Sequence, residues 1–209
     1  MPKIAPFEKH TIKYEEWFER NEWVYQSELR AIEEHIPEKG KGVEIGVGSG
    51  RFAAPLGIQI GVEPSIKMVE LARNRGIETV CGTAEKLPFG DARFDFALMV
   101  TTICFLDDIK AAFIETCRVL KSCGSLIIGF VDKDSLIGKT YLKHKNESVF
   151  YQIATFYSVN EVVSHLTETG FKNCNFTQTI FKPLIEIRDF EPIEEGYGTG
   201  SFVVIRAIK

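Results

Sequence analysis

From Gly42 onward the chain alternates short runs that are apolar on both faces with segments of helical spacing, and few architectures accept that pattern. Val43–Gly46, Ile58–Val62, Ile77–Cys81, Phe94–Val100 and Leu126–Val131 read as strands with no polar face. Between them, Ile66–Arg75 and Ile109–Leu120 carry apolar residues three and four apart, as helices do. A strand apolar on both faces needs a parallel sheet with helices covering each side. The last third changes character. A helix is predicted over Val159–Thr169, with Ser158 as N-cap, Glu161 three residues on and Gly170 closing it. Phe171–Phe181 and Ser201–Ile208 read as strands with no helix between them, so they are expected to pair antiparallel. The predicted fold class is α/β: a doubly wound, mostly parallel, seven-stranded Rossmann-like sheet whose last strand is antiparallel and lies at an edge.

Two segments fall outside the alternation. Residues 8–36 hold Trp17, Phe18, Trp23, Tyr25, Leu29, Ile32 and Ile36 at helical spacing, which predicts two helices packed onto the domain. Residues 1–40 are therefore expected to form a helical cap on a core spanning 41–209. Residues 132–157, after the fifth strand, mix Tyr141, His144, Phe150, Tyr151, Phe156 and Tyr157 with lysines, an insertion suited to lining a pocket.

A chain of 209 residues buries enough surface to fold without disulfides or metal. The five cysteines are scattered with no C-x-x-C pair, so no disulfide scaffold or metal site is expected, and packing in a reducing compartment accounts for them. No apolar run approaches the ~18 residues of a membrane span, and the start lacks the apolar core of a signal peptide. A cytoplasmic protein is expected. The 25 Lys and Arg residues against 29 Asp and Glu argue against broad electrostatic capture of nucleic acid.

The informative stretch is VEIGVGSG, Val43–Gly50, at the end of the first strand. Gly46, Gly48 and Gly50 allow positive φ on a strand-to-helix turn and let a ligand approach the backbone. Glu63 ends the second strand, where a carboxylate can accept two hydrogen bonds from a ribose diol. The dinucleotide fingerprint places its third glycine one residue later. Glu44, two residues before the first glycine, would repel a pyrophosphate but suits a sulfonium and an amino group. The spacing disfavours NAD and favours a cationic adenosyl ligand.

From Val43 to Asp132 the chain resembles the class I S-adenosylmethionine-dependent methyltransferases, in particular the group typified by ubiquinone/menaquinone C-methyltransferases. VEIGVGSG is similar to that family's first motif and GVEPS at 61–65 to its second, which implies that Glu63 binds the ribose hydroxyls. GTAEKLPF at 82–89 resembles the third, implying that Thr83, Ala84 and Glu85 flank the adenine. FDFALMV at 94–100 and RVLKSCGSLII at 118–128 match the fourth strand and the turn into the fifth. The resemblance thus implies S-adenosylmethionine as cofactor, methyl transfer as the activity, and cofactor contacts from Glu44, Gly46, Gly48, Gly50, Glu63, Thr83, Ala84 and Glu85. The family's third motif usually has an acid where Thr83 stands, and many relatives carry histidines where this chain reads TTICFLDD, 101–108.

Methyl transfer is an in-line displacement whose main demand is a close, aligned nucleophile. The expected acceptor is a small molecule, placed outside the carboxyl ends of the strands near Thr101–Leu106 and Val131–Asp134. The residues single out no catalytic base. Asp107 and Asp108 hold the position of one, but a carboxylate pair before Ile109 is also what a helix N-terminus prefers. His144 lies between two lysines, either on a solvated face or on the substrate, and Tyr141, Tyr151 and Tyr157 either wall a pocket or pack the insertion. Glu186, Asp189, Glu191, Glu194 and Glu195 make the 182–198 connection acidic, which would favour an amine-bearing acceptor if that loop rims the site. The alternative to an enzyme is a protein that binds the adenosyl cofactor without transfer, as a sensor or partner subunit.

Overall fold

A computed structural model describes residues 3–209. The chain opens with three helices, α1 (Ala5–Lys9), α2 (Thr11–Arg20) and α3 (Glu22–Glu33), where the spacing predicts two. There follow β1 (Gly42–Ile45), β2 (Ile60–Glu63), α4 (Ile66–Asn74), β3 (Glu78–Cys81), β4 (Phe94–Val100), α5 (Ile109–Val119) and β5 (Leu120–Val131). The insertion contributes α6 (Leu136–Lys143) and two short 3₁₀ turns; α7 (Val159–Glu168), β6 (Lys172–Thr179), β7 (Glu194–Glu195) and β8 (Phe202–Ile208) complete the chain.

The sheet has eight strands in the order β3-β2-β1-β4-β5-β8-β6-β7. β1 to β5 are parallel, as runs buried on both faces require, and β1, β4, β5 and β8 are almost wholly buried where they pair. The last strand is antiparallel to both its neighbours, as expected, but it lies between β5 and β6 and not at an edge. The edge is β7, the two exposed residues Glu194 and Glu195, which raise the count from seven to eight. A short charged strand is a suitable edge because it offers little template for pairing with another chain.

One face of the sheet packs on α5 and α7 through Phe113, Val119, Val162 and Leu166, and the other on α3 and α4 through Ala31, Ile32 and Ala72. Local chemistry sets the helix starts. Ser65, Asp108, Ser135 and Ser158 each accept from a first-turn N–H, and Glu161 reciprocates to Ser158 in a capping box.

The helix expected after the first glycine turn does not form. Arg51–Gly57 is a run of turns, because Pro55 has no N–H to donate and Gly57, at φ 70°, ends the segment after seven residues. All five cysteines are free, and Cys81 and Cys123 are exposed, so packing does not account for those two. Among the described residues, no helix is long and apolar enough to cross a membrane, and no group of three or more His, Cys, Asp or Glu side chains is placed to hold a metal ion.

Candidate functional site

The turn after β1 is stitched to the neighbouring strand, with the N–H groups of Gly46 and Val47 both donating to the Val62 carbonyl at 2.8 and 3.1 Å. Gly46 has φ 72°, and a Cβ there would lie 2.4 Å from Thr102 Cγ2; Gly48 has φ 53°, and its Cβ would lie 3.0 Å from the Tyr14 hydroxyl. Both positions are closed to side chains by conformation and by space.

Glu63 faces this turn from the end of β2. Its Oε2 accepts from Gly48 N–H at 3.0 Å and its Oε1 from Ser65 N–H at 2.9 Å. Burial pushes its carboxyl up to about 7, against the pull of those two N–H groups and with a further push from Glu8. A cavity of about 100 Å³ lies between Gly46, Gly48 and Glu63 on one side and Gly82, Thr83, Ala84 and Glu85 on the other. Glu85 also does structural work, its Oε1 accepting from the N–H groups of Asp107 and Asp108 at 2.9 and 3.4 Å.

Six of the eight residues singled out by sequence therefore wall one cavity. Gly50 and Glu44 do not. A Cβ on Gly50 would meet Ile77 Cγ1 at 3.3 Å and Ala72 Cα at 3.4 Å, so this glycine serves the approach of α4. Glu44 is buried with Oε2 lacking any hydrogen-bond partner, and burial holds its carboxyl well above the usual range. Asp108 is the N-cap of α5, while Asp107 borders the cavity.

A second cavity, of about 480 Å³, adjoins the first. Phe7, Tyr14, Thr101 and Phe105 border both. Thr101 follows β4 at φ 49°, a strained conformation for a β-branched residue, fixed by its N–H bond to Gly129 O at 2.7 Å. The large cavity is mostly apolar, and Tyr141, Tyr151 and Tyr157 all line it, so these tyrosines wall a pocket. Tyr141 and Tyr151 also pack on each other with ring centroids 4.5 Å apart. His144 is exposed and within 2.9 Å of Glu147, away from both cavities.

The acidic connection does not rim the pocket. Of its residues only Leu184 lines the cavity; Glu194 and Glu195 form β7, and Glu191 is buried with Lys182 and the Phe181 N–H. Sequence reading missed Phe7, Tyr14 and Glu28, which come from the N-terminal helices. The signal for Glu28 was present: an acid stands within the apolar stripe Val24, Ala31, Ile32 of α3, at helical spacing.

The N-terminal helices also hold the glycine turn. Glu15 of α2 accepts from Arg51 at 2.6 Å and from Arg75 at 2.5 Å; Arg75 in turn donates to Ser49 O at 2.7 Å, and the Tyr25 hydroxyl donates to Arg51 O at 2.5 Å.

Comparison with known proteins gives a consistent result. Residues 43–128 match the methyltransferase-domain family. A crystal structure from Thermotoga maritima, described as an S-adenosylmethionine-dependent methyltransferase and possible histamine N-methyltransferase, is 51% identical over 97% of each chain with a TM-score of 0.95. An uncharacterized protein of Methanocaldococcus jannaschii is 47% identical, covering 97% of this chain and 98% of its own. A demethylmenaquinone methyltransferase of Roseiflexus is 35% identical over 41% of this chain and 40% of that one.

Proposed function

This chain belongs to the S-adenosylmethionine-dependent methyltransferases, and from that membership we propose that it methylates a small acceptor held in the aromatic cavity. The observation that carries this reading is the junction of the two cavities at Tyr14, Thr101 and Phe105. A cofactor on one side and an acceptor on the other meet there without crossing bulk water.

The residues present fit the cofactor. Gly46 and Gly48 form a cradle that any Cβ would fill, and Glu63 lines the same cavity with a carboxylate positioned by two backbone N–H groups. In this reading Glu63 accepts from the ribose hydroxyls, Gly46 and Gly48 pass close to the methionine portion, and Thr83, Ala84 and Glu85 flank the adenine. Glu44 takes no part in this reading, since it lines neither cavity and burial disfavours its charged form. When bound, S-adenosylmethionine supplies an electrophilic methyl group on a sulfonium and is left as the thioether.

The protein's contribution is alignment and exclusion of water. Residues 1–40 serve as a cap and 132–157 as the acceptor-side wall, since Tyr14, Trp17 and Glu28 from the first and Tyr141, Phe150 and Tyr151 from the second enclose the larger cavity. Tyr14 stays neutral, because burial and the nearby Glu63 and Glu44 carboxyls push its hydroxyl far up, and it can donate a hydrogen bond at the junction.

Calorimetric titration with S-adenosylmethionine, S-adenosylhomocysteine and NAD tests the cofactor site. Binding of both adenosyl compounds with no response to NAD is expected. Turnover of methyl-labelled cofactor with a panel of acceptors then separates an enzyme from a protein that only binds. A cofactor-saturated protein that labels no acceptor would favour the binding-only alternative.

A further inference from the structure

The larger cavity contains an unbalanced carboxyl. Glu28, on α3, is 5% exposed and lines the aromatic cavity among Tyr14, Phe130, Tyr141 and Tyr151. Among the described residues, no hydrogen bond or ion pair reaches its carboxyl. The other buried carboxylates are handled differently. Glu63 accepts two backbone N–H groups, Asp132 the N–H of Asp134, and Glu191 a lysine and a backbone N–H. Glu44 is orphaned on one oxygen but faces neither cavity.

A carboxyl buried without a partner is costly in either protonation state, and packing alone would be better served by Leu or Met in a stripe of Val24, Ala31 and Ile32. The cations in the cavity lining, Lys13 and Arg20, do not reach it. Both are exposed, and Arg20 is held by Glu16 at 3.2 Å. The remaining walls are aromatic faces, which favour a flat apolar body and attract a cationic head.

Resting on the methyltransferase reading above, we propose that Glu28 is the polar anchor of the acceptor pocket and that the acceptor is an aromatic or similarly apolar amine, its nitrogen hydrogen-bonded to Glu28. Glu28 acts as a binding and positioning residue. The nitrogen N–H supplies the partner that the protein omits, and the aromatic walls hold the body so that the ligand is oriented by one charge-assisted bond. The preference arises because an alcohol or hydrocarbon of the same shape leaves the carboxyl less well paired or unpaired.

The test compares tryptamine, 2-phenylethylamine and their alcohol counterparts, tryptophol and 2-phenylethanol, on protein saturated with S-adenosylhomocysteine. Calorimetry is expected to show at least one amine binding tenfold or more tighter than its alcohol. In Glu28→Gln this ratio falls to near unity, while affinity for S-adenosylhomocysteine is unchanged. Should that variant fail to fold, Glu28→Asp, which retains the charge and withdraws it by one methylene, is expected to reduce the ratio in a folded protein. Equal binding of amine and alcohol to the parent, no binding by any of the four, or a ratio that survives Glu28→Gln overturns the proposal. A protein that prefers the amines through Glu28 but binds no adenosyl compound would retain the anchor and overturn the methyltransferase reading.

Discussion

Glu63 is the residue on which the cofactor reading turns, and its environment makes a prediction with a sign. Its carboxyl is pushed up to about 7 by burial, so near neutral pH the ligand-free site is partly protonated. Hydroxyl donors from a ribose bond better to the carboxylate than to the acid, so binding is coupled to loss of that proton. Affinity for S-adenosylhomocysteine is therefore expected to hold above pH 7 and to weaken as pH falls through about 7, by up to tenfold per pH unit. Glu63→Gln removes the charged acceptor and is expected to cost roughly 1.5–3 kcal/mol at pH 8 and to flatten the dependence. Calorimetry between pH 5.5 and 8.5 reads both; an unchanged profile in the variant would remove Glu63 from the ribose. This residue was legible because the end of the second strand is where an α/β sheet meets its ligand. Glu28 was not found, although its place in an apolar helical stripe marked it, because amphipathic spacing was read only for what it buries.

Among the elements, α1 and α2 do different jobs on the same site. The smaller cavity is about 100 Å³, below the ~300–1,000 Å³ of small-molecule pockets, and Phe7 and Ile4 form part of its wall. The helix α1 buries no residue and is held by Glu8, which accepts from the Ser65 hydroxyl at 2.6 Å and from Lys67 N–H at 3.4 Å, and by Lys3, which donates to Leu106 O at 3.1 Å. If this strap gates cofactor entry, weakening its hold speeds association. With a hydrogen bond worth about 1 kcal/mol, Glu8→Ala is expected to raise the association rate roughly fivefold in stopped-flow fluorescence; an unchanged rate means that α1 does not gate entry. The helix α2, by contrast, is a clamp. Glu15→Ala leaves Arg75 without its carboxylate and Arg51 with only Glu19, at 3.9 Å, and loosens the glycine turn, an expected loss of about 2–3 kcal/mol in urea unfolding. A loss below about 0.5 kcal/mol would mean that the clamp is ornamental. At this scale periodicity revealed most helices and strands, because each is a local response to a local pattern. It did not reveal that β8 enters between β5 and β6, since strand order is a property of the whole sheet. Nor did it reveal the missing helix at Arg51–Gly57, where Pro55 prevailed over a short apolar run.

Taken as a whole molecule, the protein buries three glutamates whose carboxyls are held toward the protonated form, and its stability must show it. Burial pushes Glu28 up to about 8 and Glu63 up to about 7, and holds Glu44 well above the usual carboxyl range. In the unfolded chain the same groups release their protons near pH 4.3. Between those limits the folded form binds more protons than the unfolded form, so stability falls as pH rises through the window. Below about pH 4 the groups are protonated in both states and this contribution no longer changes. His35 works in the opposite direction: burial lowers its pKa, so its contribution improves as pH rises through the unfolded value near 6.5, but it is one group against these three and Asp132, whose pKa burial also raises. The free energy of urea unfolding for the ligand-free protein is therefore expected to decline by a few kcal/mol from pH 5.5 to pH 8. Glu28→Gln removes a displacement larger than that of Glu63, so the variant should match the parent near pH 5 and exceed it at pH 8. A parent whose stability rises steadily across that range would show that these carboxyls ionise with little penalty. The buried-carboxyl account of both cavities would then have to be given up. If the decline is found, the stability lost at neutral pH is what the fold gives up to keep two acidic groups facing its cavities, the groups to which the proposed reading assigns the ribose and the amine.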